Sequence, residues 1–174
     1  MKPGRIFAVL GFCAAAALAQ EGARGEARTG PLAPFRWFAD LAGSCWTGTH
    51  ANNTQTLCYL AQYERLLRGS IKVTEADKVV FEGDAVFAVD PADKEGKRIV
   101  YAQWGTGGVY STGDIVFEGE TLIFNTRLPD GGVAPVRHVW RRTGAQAFKV
   151  TRERKADSRW VEQFTVEYKR VPGR

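Results

Sequence analysis

Residues 41–64 read LAGSCWTGTHANNTQTLCYLAQYE, and this stretch decides the fold. It holds two of the chain's three cysteines, Cys45 and Cys58, with Trp46 beside the first. Taken as two strands of one hairpin, with Cys45 facing Cys58, the turn centres between Ala51 and Asn52. His50-Ala51-Asn52-Asn53 falls there, and Asn tolerates the left-handed backbone of tight turns. Directly opposed residues of an antiparallel pair lie close enough for a disulfide. Two thiols do not complete a zinc site, which takes four ligands, and a catalytic thiol has no evident base nearby. The pair reads as a staple on a first β-hairpin, and alternation then sends Trp46 to the opposite face from Cys45.

Working outward towards the N-terminus, the 174-residue chain begins with Lys2 and Arg5, then the apolar run IFAVLGFCAAAALA ending in Ala17-Leu18-Ala19. Basic, apolar and small residues in that order make a secretory signal peptide over residues 1–19, too short for a spanning helix. A lipoprotein anchor on Cys13 is disfavoured by Phe12, where a small residue is needed. Export removes Cys13, leaves an even pair of cysteines in an oxidising compartment and makes a disulfide the expected state. It also removes two of the 24 basic residues, leaving 22 against 19 acids and a net charge of +3. A periplasmic or secreted protein with this balance carries no demand for nucleic acid or an anionic membrane, and no membrane span is expected. Residues 20–34, QEGARGEARTGPLAP, show no apolar periodicity and read as a flexible leader. PFRWFADLAG follows and suits one short helix, with Pro34 in its first turn and Gly43 past its end.

From Cys45 the pattern is β throughout and makes residues 35–174 one domain. Runs of Val, Ile, Phe, Tyr, Trp and Thr recur near 45–50, 55–64, 67–74, 79–89, 97–104, 109–117, 121–128, 135–142, 147–154 and 159–170. Turn residues separate them, as at Asp90-Pro91-Ala92-Asp93 and Pro129-Asp130-Gly131-Gly132. Phe81, Gly83, Ala85, Phe87 and Val89 share one face of their strand, and Phe164, Val166, Tyr168 and Arg170 share one face of the last. One apolar and one polar face per strand means a sheet buried on one side. A meander of about ten such strands removes its edges by closing. The expected fold is all-β, a single antiparallel up-and-down barrel with one short N-terminal helix.

Leu41-Ala42-Gly43-Ser44-Cys45-Trp46-Thr47-Gly48 resembles the opening of the calycin group, which includes lipocalins and fatty-acid-binding proteins. The resemblance covers about residues 35–170 and is nearest to uncharacterised secreted bacterial barrels of this shape. It implies that Trp46 packs at the closed end against a last-strand arginine, here Arg170, through a cation–π contact. The chain departs from the lipocalin form in placing Gly43 three residues before the Trp rather than two.

Chemistry-bearing residues are few. His50 sits in the predicted first turn and is expected to be exposed. His138 shares a strand face with Val136, Trp140 and Arg142, so it could be a general base or, by resemblance to haem-binding barrels of the nitrobindin type, a haem ligand. No G-x-S-x-G elbow is present. Glu82, Asp84, Asp114, Glu118 and Glu162 are not grouped as paired catalytic carboxylates, and Gly105-Thr106-Gly107-Gly108 opens no helix. Arg152, Arg154, Lys155 and Arg159 read as decoration of the last hairpin's tip. The mixture Tyr101, Gln103, Tyr110, Asn125, Arg127, His138 and Trp140 at mid-strand positions reads as the lining of a ligand pocket, with no metal and no obligatory cofactor.

The expected function is binding of a small apolar or amphipathic molecule in the barrel interior. Two alternatives remain at this stage. One is a barrel isomerase, cyclase or hydrolase with His138 as base and Arg127 or Arg137 holding an anion. The other is an envelope interaction protein without a pocket.

Overall fold

The computed structural model of the chain describes residues 30–172. Ten strands run in sequence order: β1 (Ser44–His50), β2 (Asn53–Gln62), β3 (Leu66–Glu75), β4 (Lys78–Val89), β5 (Ile99–Gly105), β6 (Val109–Glu118), β7 (Thr121–Arg127), β8 (Val133–Gly144), β9 (Ala147–Ala156) and β10 (Arg159–Arg170). Each pairs antiparallel with the next, and β10 returns to β1, so the sheet closes into an up-and-down barrel with no free edge. The expected signal peptide and most of the expected leader lie outside the described residues. Among the described residues no helix is long and apolar enough to cross a membrane.

The first hairpin has the register that the cysteines require. Cys45 faces Cys58, the two are disulfide-bonded, and His50 pairs with Asn53 across the turn. The left-handed residue of that turn is Ala51, with φ 50°, and not an asparagine. Trp46 and Leu57 face inward beside the staple, and both are buried.

The segment before β1 is a 3₁₀ helix, Ala33–Leu41, entered through Pro34 and kinked at Arg36, which has φ 48°. Phe35, Trp37, Phe38, Ala39 and Leu41 are all buried. Beyond the kink Phe38 and Leu41 are three residues apart, the 3₁₀ period, and share a side. Phe38 plugs the lower end of the barrel. Its ring meets those of Tyr59, Phe87, Phe124 and Trp140 edge-on, at centroid distances of 5.4, 5.0, 5.7 and 5.9 Å. Trp37 Nε1 donates to the Glu120 carbonyl at 2.9 Å, and Arg142 bonds Asp40 at 2.8 Å, so the plug is pinned to β6–β7 and β8.

Trp46 and Arg170 are register partners, as the calycin resemblance requires, but they do not form the implied cation–π pair. Arg170 is exposed. The Trp46 ring instead packs edge-on against Phe148 at 5.2 Å. Phe148 stacks in turn between Trp140 and Tyr168, at 5.0 Å from each. An aromatic partner available inside the barrel takes the place of an arginine whose charge stays in water.

Candidate functional site

Above the Phe38 plug the barrel is hollow. A cavity of about 380 Å³ lies among inward side chains of β2–β5 and β7–β10. β3 and β4 present to the cavity the register pair Gly69 and Ala85, which has no large side chain. A Cβ on Gly69 would lie 2.9 Å from the Tyr59 ring and 3.2 Å from that of Phe87. The glycine thus lets two rings lie flat along the wall.

The floor is aromatic, formed by Tyr59, Phe87, Tyr101, Phe124 and Trp140. Higher up, one register row runs across four strands: Phe124 on β7, His138 on β8, Arg152 on β9 and Phe164 on β10. All four line the cavity. The Arg152 guanidinium sits 5.9 Å from the Phe164 ring centroid, and His50 stacks on Phe164 at 4.3 Å. His50, expected in open solvent, is therefore half-buried near the upper end of the barrel.

The polar groups on this wall are unequally satisfied. Tyr168 donates its hydroxyl to Gln55 Oε1. The Tyr101 hydroxyl is bonded to the Asn125 carbonyl and Thr126 Oγ1, and Gln103 Nε2 donates to Ser111 Oγ at 2.7 Å. Among the described residues neither the His138 ring, nor the Tyr59 hydroxyl, nor the Arg152 guanidinium has a hydrogen-bond partner within the protein. Burial, and then the positive charge of Arg152, lower the His138 pKa to about 4. The ring is therefore neutral near pH 7. Burial raises Tyr59 and Tyr168, and the neighbouring Tyr168 raises Tyr59 further, so both phenols stay protonated and can donate.

Of the seven residues expected to line a pocket, Tyr101, Gln103, His138 and Trp140 are on the cavity wall. The other three are on the outside. Tyr110 pairs with Trp104 on the outer face and is 70% exposed. Asn125 and Arg127 both bond the carboxylate of Asp114, a buried acid of the outer wall that Arg98 also reaches at 3.0 Å. The faces of β7 are hard to tell apart because Leu122, Ile123 and Phe124 are consecutive and all buried, so burial does not separate inside from outside along that stretch. Burial would raise the Asp114 pKa, but the hydrogen bonds from Asn125 and Arg127, with the Arg127 charge and the Arg98 bond, hold it below the ordinary carboxylate value.

Arg152 is the main residue that sequence reading misplaced. It is a cavity residue and not decoration of a hairpin tip. The signal was present in Phe148-Val150-Arg152, an inward alternation continuous with the buried end of β9. Tyr59 and Gln55 are not marked in the sequence for a similar reason, since each is ordinary for a strand and gains meaning only across the barrel.

The arrangement offers little for acid–base chemistry. A base lowered to about 4 has weak proton affinity near neutral pH. The two arginines expected to hold an anion beside it point away, Arg127 to Asp114 and Arg137 to Glu153 at 2.6 Å. Among the described residues no group of three His, Cys, Asp or Glu side chains is placed to hold a metal. For haem, the neutral His138 ring is a suitable iron ligand and, among the described residues, the one imidazole placed on the cavity wall.

Fold and site together define a small closed antiparallel β-barrel, plugged at one end and hollow above the plug. Compared with known proteins, the chain matches no protein-family model and no curated protein.

Proposed function

We propose that the protein is a calycin-like carrier that holds a small apolar or amphipathic molecule inside its barrel, in the periplasm or outside the cell. The cavity carries this reading. Its aromatic floor and few polar groups are the composition of a small-molecule site, and its volume lies within the roughly 300–1,000 Å³ range of such sites. The signal-like N-terminus and the Cys45–Cys58 disulfide support an exported protein. The test is a titration of residues 20–174 with N-phenyl-1-naphthylamine, a neutral dye that brightens in apolar surroundings. Saturable binding to the native protein, lost in Ala85→Trp where the new ring fills the space, is the expected result. Binding unchanged in a folded Ala85→Trp variant would place the dye on the outer surface and remove the support for a carrier.

A further inference from the structure

We infer that the carried molecule is an aromatic anion, a flat ring system bearing a carboxylate or sulfonate, with its charge at Arg152 and its rings on the floor beneath. The inference rests on the carrier reading and specifies the ligand class.

The first observation is an imbalance of charge partners. Four outward-facing cations on this barrel have acids beside them, Arg68 with Asp84, Lys72 with Glu82, Arg127 with Asp114 and Arg137 with Glu153, while others such as Lys149, Lys169 and Arg170 are exposed and solvated by water. Arg152 faces inward, and among the described residues no acid bonds it. The one carboxylate at the cavity edge, Asp84, is engaged by Arg68 at 3.3 Å. A guanidinium in a partly enclosed site without an anion forgoes its strongest interaction, a paired charge-assisted hydrogen bond.

The second observation is a surplus of donors. Among the described residues Arg152 and the Tyr59 hydroxyl have no acceptor, and Gln55 Oε1 on the same wall accepts from Tyr168. The neutral His138 ring adds one donor and one acceptor. A ligand matching this wall brings acceptors, and beside Arg152 it gains most by bringing charge. Below it, Phe124 and Trp140, stacked on each other at 4.7 Å, line an aromatic floor.

The experiment competes 2-naphthoate and its neutral analogue 2-naphthalenemethanol against bound N-phenyl-1-naphthylamine. It compares wild type, Arg152→Gln and Arg152→Lys, each first shown by circular dichroism to be folded. The expected result is a preference for naphthoate of roughly tenfold or more in wild type. That preference, read as the ratio of the two affinities within each variant, should vanish in Arg152→Gln and survive in part in Arg152→Lys. Equal affinity for the two compounds in wild type, or a preference that persists in Arg152→Gln, overturns the anion while leaving the carrier intact. Failure of the dye and both naphthalenes to bind overturns the carrier and the anion together.

Discussion

The carboxylate of Asp114 is bonded by the guanidinium of Arg127 on the outer wall of the barrel, across the β6–β7 pair. Arg98 reaches the same carboxylate and also Asp90 at 3.3 Å, so one cluster ties the loop before β5 to β6 and β7. The Asp114 side chain is only 7% exposed, which leaves its oxygens dependent on these partners.

Asp114→Ala should therefore cost about 2–4 kcal/mol, because it strands partly buried cations and an amide. Urea denaturation at pH 7 reads the loss. Since the native Asp114 pKa is depressed, its contribution is complete above the ordinary Asp value of about 3.9 and fades as pH falls through the native one. Asp114→Asn should flatten that acid limb, and dye binding in the cavity should be spared.

His138 should give a second, milder acid sensitivity. With a native pKa of about 4 against about 6.5 unfolded, the unfolded chain binds the extra proton first. Stability is then full above about pH 6.5 and declines towards pH 4, by roughly 3 kcal/mol in total. Denaturation midpoints at pH 7.0, 5.5 and 4.5 test this. A wild type and His138→Gln that decline in parallel between pH 6.5 and 4 would show that another group titrates.

Two glycines should respond oppositely to alanine. A Cβ on Gly113 would fall 2.0 Å from the Asn125 carbonyl oxygen and 2.6 Å from the Tyr101 ring, both of which are held in place. Gly113→Ala should lose at least about 3 kcal/mol or fail to fold. At Gly144 nothing lies within 4 Å of the new atom, and Gly144→Ala should change stability by less than about 1 kcal/mol. Paired thermal melts separate the two.

Removing the staple by Cys45→Ser with Cys58→Ser should cost about 3 kcal/mol, the chain-entropy value for a loop of this length. Reduction of the wild-type protein should reproduce the change in the urea midpoint. A midpoint unmoved by either treatment would show that the remaining hairpin contacts suffice.

Phe38→Ala should cost about 3–5 kcal/mol and deepen the cavity. The ring it removes is fully buried and touches four others on the floor. A folded variant should admit larger aromatic probes than wild type, which titration with a graded series of ring sizes would show.

Strand number, strand order and closure were legible in residues 41–170, with each boundary within about two residues of where the structure ends the strand. These follow from local alternation and turn chemistry, which each segment carries by itself. The first-hairpin register was equally legible, because Cys45 and Cys58 allow one pairing around the turn at Ala51 and Asn52. Which polar groups face inward was decided elsewhere. On β7 three successive buried residues blur the pattern, and Asn125 and Arg127 lie on the outer face, where both meet Asp114 with Arg98. Arg152 enters the cavity because β9 pairs with β8 in the register that sets it across from His138. Trp46 leaves Arg170 because Phe148, distant in sequence, meets its ring inside the barrel. Alternation belongs to a single strand and can be read along the chain. The partner a side chain meets depends on ten strands closing in register, and that is settled only when the barrel folds.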